Sequence, residues 1–203
     1  MSTVVRFEDY RKRRSPPPLV FLDMHREQLD DDIGFGTEQI EPVLARCRVL
    51  LDRARAERWP LAFMRPVVGT RGRQARSSPR WIEGFEPRRS DMVFDRLALS
   101  CYASVEFAEA MSAAGNVYVI AGFADEGTCL ATLIDASQNN HSVGFIRDAT
   151  ATPPLPGYGA AESRRVVDAL ATRYATIITA EHWIKAAGAR HGRPEMSHVG
   201  ADR

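Results

Sequence analysis

Apolar positions along this chain alternate between short continuous runs and helical stripes. Leu19 to Leu22 is an apolar run closed by Asp23, which reads as a strand. Over residues 39–57, Ile40, Val43, Leu44, Cys47, Leu50 and Leu51 share one stripe with arginines opposite, so an amphipathic helix is predicted with Cys47 in the core. Pro60 to Met64 predicts a second strand and Met92 to Phe94 a third. Between them, residues 67–90 show no period and are rich in Arg, Gly, Ser and Pro. A loop of that length is uncommon unless it helps to build a site. Val105 to Ala114 predicts a helix closed by Gly115. Val117 to Ala121 is unbroken and β-branched at Val117, Val119 and Ile120, as suits a strand buried on both faces. Gly122 ends that run, and a helix over 128–138 follows, with Leu130, Leu133 and Ile134 on one face. Ser142 to Ile146 predicts a strand, 149–161 a Pro/Gly loop, Glu162 to Tyr174 a helix, Thr176 to Ile178 a last strand and Ala180 to Ala187 a last helix.

Strands alternating with helices imply right-handed crossovers and an α/β fold, a three-layer α/β/α domain around a mainly parallel sheet. The expected organisation is one folded domain over 19–187, a flexible arm over 1–18 and a flexible tail over 188–203. A length of 203 residues, 44% apolar and 26% charged, fits one ordinary globular domain. A net charge of +1 points to neither nucleic acid nor a membrane surface as partner. No apolar stretch approaches the roughly 20 residues that a membrane span needs. Cys47, Cys101 and Cys129 have no paired spacing, which suits a reducing compartment and speaks against a disulfide framework or a CxxC zinc site. A cytoplasmic location is the default expectation. The basic residues are nearly all arginine: the lysines are Lys12 and Lys185, so none lies near the middle of the chain.

Candidate chemistry gathers at the predicted carboxyl ends of the strands. Asp23 ends the first strand, Arg96 follows the third, and Thr128 and Cys129 open the helix after the fourth. An acid, a cation and a nucleophile candidate at strand ends make a plausible hydrolytic centre. Successive residues of a helix are rotated by about 100°, so Thr128 and Cys129 cannot face one pocket in the same way.

The segments VFLDMH, EGFEPRRSDMVFDRLALSCYAS, VIAGFADEGTCLATLIDA and VGFIRDAT, in this order and spacing, resemble the isochorismatase-like family, also called the cysteine hydrolases. The resemblance runs from about Leu19 to Lys185. It implies an Asp–Lys–Cys centre in which the Cys attacks an amide carbonyl, the Asp takes its proton, the Lys orders the charges and a thioester is hydrolysed. It also implies an oxyanion hole at the turn before the helix, with a non-proline cis peptide between Phe123 and Ala124 and with Thr128 at the helix end of that turn. The family's Asp falls on Asp23. Its Lys falls on Arg96, and its Cys, counted six residues on from Gly122, falls on Thr128, with Cys129 one residue late.

Both replacements bear on chemistry. A hydroxyl is a far weaker nucleophile than a thiolate. An arginine binds carboxylates in a fork but does not exchange protons at neutral pH. The resemblance also includes members without the Cys, which cleave the vinyl ether of isochorismate with the Asp as acid. Three readings therefore stand. One is a hydrolase of a small, perhaps anionic, molecule with an altered centre. Another is a non-catalytic binding or assembly protein on the same fold. The third is a true cysteine hydrolase in which an inserted turn residue brings Cys129 into place. His25, Trp81, Phe85 and Tyr102 are the candidates for substrate contacts. No metal or other cofactor is expected, because His25 has no further histidine near it in sequence. The expected partners are a small-molecule substrate and further copies of the chain.

Overall fold

The computed structural model describes residues 15–29, 37–67, 79–123 and 126–191. Six strands and five helices run along them. In order they are β1 (Leu19–Leu22), α1 (Thr37–Ala56), β2 (Leu61–Pro66), β3 (Met92–Arg96), α2 (Val105–Ala113) and β4 (Val117–Phe123). Then come α3 (Glu126–Gln138), β5 (Ser142–Ala151), α4 (Ala160–Ala171), β6 (Ala175–Ile178) and α5 (Ala180–His191). The strands form one sheet in the order β3-β2-β1-β4-β5-β6, and every pairing is parallel. This is the three-layer α/β/α architecture that the alternating pattern predicts.

The continuous apolar runs are explained by the sheet's two covered faces. Side chains of a strand alternate between faces. Leu19 and Phe21 enter a core with Cys47, Leu50 and Leu51 of α1 and Trp183 of α5. There Trp59 and Trp183 meet edge to face, with centroids 5.0 Å apart. Val20 and Leu22 enter the opposite core with Phe107 and Met111 of α2, Leu133 of α3 and Ala171 of α4. Cys47 lies in the first core, as its place on the apolar stripe requires, and its thiol donates to the Ala149 carbonyl at 3.2 Å.

The element ends differ from the sequence pattern at several places. β5 continues to Ala151, through residues that the pattern assigned to a loop. Arg147 and Asp148 interrupt the apolar run, and the register with β4 shifts between Ile120 and Gly122 to absorb them. Asp148 then uses its carboxylate to accept the Ala180 N–H at the start of α5, at 2.8 Å. α3 begins at Glu126, earlier than the apolar stripe indicated, and α4 spans 160–171 with Gly159 at its amino cap. Pro16 to Pro18, assigned to the arm, are buried, and the Pro18 carbonyl accepts the Val119 N–H at 2.9 Å. Of the long loop over 67–90, residues 68–78 lie outside the described residues.

Candidate active site

The strand order reverses between β1 and β4, and the crevice above the carboxyl ends of the strands opens at such a point. Asp23 follows β1 there. Its φ of +47° lies in the left-handed region, which a short polar side chain tolerates better than a bulky one. Gly122 of β4 pairs with Leu22 of β1, one residue before Asp23. Its φ is +117°, and a Cβ there would stand 2.3 Å from the Leu22 carbonyl oxygen. Glycine at this position lets β4 run this close to β1 beside the emerging acid.

Arg96 ends β3, two strands away from β1 in the sheet. Neighbouring strands are about 4.8 Å apart, so a long side chain is needed to cross the end of β2. The guanidinium does so. Its Nη2 donates to Asp23 Oδ2 at 2.5 Å and to Thr128 Oγ1 at 3.3 Å, and its Nη1 donates to the Ala98 carbonyl at 2.6 Å. Asp23, Arg96 and Thr128 are all buried, at 2%, 7% and 0% exposure. The Nε of Arg96 is buried and has no hydrogen-bond partner among the described residues. One turn further along α3, Thr132 accepts the Cys101 N–H at 3.1 Å and ties the helix to the turn over 101–103.

Cys129 is fully buried in the core of Val20, Leu22, Leu133 and Ala136. Burial pushes the Cys101 thiol up to about 12 and also raises that of Cys47. Phe123 ends β4 and packs into the α1-side core. Ala124, and with it the peptide bond expected to be cis, lies outside the described residues.

The four aromatic candidates occupy different places. His25 and Trp81 bridge in antiparallel fashion, with ring centroids 4.4 Å apart. The Arg26 N–H to Arg80 carbonyl bond and the Ile82 N–H to Met24 carbonyl bond, at 2.7 and 3.0 Å, extend that short ladder. His25 is 1% exposed, and neither ring nitrogen has a partner among the described residues. Its pKa falls to about 4, chiefly through burial; the charges of Arg65 and Arg96 lower it further and Glu27 opposes them. Phe85 is fully buried on the α1 side, edge-on to Phe21 and under the Arg48 guanidinium, and it anchors its segment to the body. Tyr102 points its hydroxyl at His141 Nδ1, 2.6 Å away, and at the Tyr118 hydroxyl, 3.3 Å away. Tyr118 stands four residues before Gly122 on β4, which at the usual rise is about 13 Å towards the amino edge of the sheet. The polar end of Tyr102 is therefore committed to a network away from Asp23.

Sequence reasoning passed over Arg65 and the Ala98 carbonyl. Arg65 forks onto Asp95 at 2.6 and 2.9 Å and sets a second positive charge near His25. Neither carries a pattern in the sequence, since their roles follow from strands brought side by side. Among the described residues, no group of three or more His, Cys, Asp or Glu could hold a metal ion. None of the described helices is long and apolar enough to cross a membrane.

Buried beside the switch point of an all-parallel sheet, Asp23 stands where open α/β sheets bind their ligands. The isochorismatase domain model matches residues 17–182, and the chain belongs to that family. Solved structures agree on the fold. An isochorismatase from Pseudomonas putida is 20% identical, covers 84% of this chain and 91% of its own, and gives a TM-score of 0.72. A cysteine hydrolase from Pseudomonas syringae is 19% identical, with 94% and 100% covered and a TM-score of 0.75. N-carbamoylsarcosine amidase from Thermoplasma acidophilum is 19% identical, with 82% and 97% covered and a TM-score of 0.62. No curated protein matched the chain.

Proposed function

We propose that the protein hydrolyses a small anionic molecule at the Asp23–Arg96–Thr128 centre without forming a covalent intermediate. The observation that carries this reading is the single Arg96 nitrogen shared by the Asp23 carboxylate and the Thr128 hydroxyl. A guanidinium against Asp23 favours the ionised carboxylate, which accepts protons and does not donate them. Asp23 is then the base that takes a proton from water as the water attacks an amide carbonyl, and it passes that proton to the leaving nitrogen as the C–N bond breaks. Cleavage of a vinyl ether is the variant in which Asp23 first gains a proton. Thr128 acts as a hydrogen-bonding neighbour. Its hydroxyl would need an adjacent base to attack, and it accepts a hydrogen bond from the Arg96 guanidinium.

A second reading, a binding or assembly protein without turnover, draws on the same contacts. Arg96 spends three hydrogen bonds inside the chain, on Asp23, Thr128 and Ala98, as a structural clasp would.

Purified protein and its Asp23→Asn and Thr128→Ala variants, assayed against a panel of amides and vinyl ethers, separate these readings. The hydrolase predicts turnover that Asp23→Asn abolishes and Thr128→Ala reduces in part. Equal loss in both variants would point to a Thr nucleophile. Absence of any Asp23-dependent turnover would leave the binding reading.

A further inference from the structure

We propose that the hydrogen-bonded chain Tyr118–Tyr102–His141–Ser112 is an acid-released latch: a proton taken up by His141 frees the segment over 97–104 that props Arg96. The latch lies away from Asp23 and stands whether or not that site turns a substrate over.

The contacts fix where each proton sits. His141 follows α3, is nearly buried, and donates its backbone N–H to the Ala136 carbonyl at 2.8 Å. Its Nδ1 is 2.6 Å from the Tyr102 hydroxyl and its Nε2 is 3.1 Å from Ser112 Oγ of α2. The Tyr102 hydroxyl is in turn 3.3 Å from that of Tyr118, which is fully buried on β4. Ser112 donates to the Ala108 carbonyl at 2.8 Å, and a carbonyl only accepts. The Ser112 oxygen is therefore the acceptor facing Nε2, so Nε2 carries the ring proton. Nδ1 is then bare and takes the one hydroxyl proton of Tyr102. The Tyr102 oxygen is left to accept from Tyr118. In this order every donor has an acceptor, and the chain runs one way from core to surface.

A second proton on the ring undoes that order. Nδ1 becomes a donor to Tyr102, and Tyr102 turns its own proton to Tyr118. The Tyr118 proton is then left unmet in the core. If Tyr118 keeps its direction instead, the Tyr102 proton is the one without an acceptor. One buried hydroxyl proton is unmet in either case, which is costly. Opening the chain to water relieves it. The other groups around the ring stay uncharged in mild acid, because burial raises Tyr102, Tyr118 and Cys101. Asp135 of α3 is the charge that acts on the two phenols. Burial lowers His141 below the ordinary 6.5, so the latch is closed at neutral pH and releases as the pH falls.

What the latch holds is the segment after β3. Leu97 and Leu99 are 76% and 52% exposed, so the segment is held at Cys101 and Tyr102 rather than along its length. The Cys101 N–H donates to Thr132 of α3, and the Tyr102 N–H donates to the Ser100 hydroxyl, both at 3.1 Å. Ala98 of the same segment gives its carbonyl to Arg96 Nη1. Releasing the Tyr102 ring therefore loosens one of the three supports of the Arg96 guanidinium.

The test follows amide hydrogen exchange by NMR on the full chain from pH 7 to pH 5, in the wild type, His141→Gln and Tyr102→Phe. A glutamine amide presents an acceptor and a donor as the neutral imidazole does, and it takes up no proton. Ile120 of β4 reports global opening, and the Cys101 and Ser104 amides report the segment. In the wild type, protection at Cys101 and Ser104 is expected to fall about tenfold more than at Ile120, as one unmet buried hydrogen bond implies. His141→Gln should show no such excess, and Tyr102→Phe should show it already at pH 7. The ring ¹⁵N signals of His141 at pH 7 should report a protonated Nε2 and a bare Nδ1. The latch is overturned by a proton on Nδ1 at pH 7, or by the same excess loss in wild type and His141→Gln. Should His141→Gln fail to fold, unchanged Cys101 protection in Tyr102→Phe overturns it instead. The hydrolytic reading rests on the Asp23 variants, and none of these outcomes touches it.

Discussion

Replacing His25 with Phe should flatten the protein's loss of stability in mild acid. The folded protein holds His25 with a pKa of about 4, against 6.5 for a free imidazole. The folded value is the lower one, so between these two values the unfolded chain binds a proton that the folded chain refuses. Stability is then complete above pH 6.5 and drains away as the pH falls towards 4. The full difference of 2.5 units, from 6.5 to 4, corresponds to about 3 kcal/mol. By pH 5, where most carboxylates are still ionised, about 2 kcal/mol of it is lost. Urea unfolding followed by tryptophan fluorescence at pH 7 and pH 5 measures this directly. With a slope of about 2 kcal/mol per molar urea, the wild-type midpoint falls by about 1 M from this group alone. His25→Phe removes that portion and keeps the packing on Trp81. His141, whose pKa burial also lowers, contributes in the same direction and is common to both proteins. Equal losses in wild type and variant between the two pH values would refute the assignment of a buried neutral imidazole.

Other outcomes follow from the same geometry. Gly122→Ala would place a methyl group 2.3 Å from the Leu22 carbonyl at a φ of +117°, so a loss of about 3 kcal/mol or more is expected in urea unfolding. Arg96→Met should cost about 3–5 kcal/mol by leaving the Asp23 carboxylate buried without its cation, and Asp23→Asn combined with Arg96→Met should cost less than the two changes added. Iodoacetamide at pH 8 should label none of Cys47, Cys101 and Cys129 in the native protein and all of them in urea, read by mass spectrometry, since each is fully buried. Selective native labelling of Cys129 would revive the cysteine-hydrolase reading.

Much of the fold was legible because burial on both sides of a sheet leaves an unambiguous local mark. Val117 to Ala121 has to be a doubly covered strand, and the stripe from Ile40 to Leu51 has to face a core, whatever surrounds them. The positions of Asp23, Arg96 and Thr128 at strand and helix ends could be read for a similar reason, since each sits where an apolar pattern stops. Boundaries were less legible where a polar pair interrupts a strand, as Arg147 and Asp148 do in β5.

Pairing was a different matter. Nothing local says that the guanidinium at the end of β3 crosses β2 to reach the acid at the end of β1, because that contact joins residues 73 positions apart. Nor does a neighbouring sequence reveal that the Tyr102 hydroxyl meets His141, that Phe85 anchors a loop to α1, or that the His25 ring packs on Trp81. Local pattern encodes which surface each element must hide, since hydrophobic burial acts along every turn and pleat. The order of strands in the sheet decides which polar ends then meet.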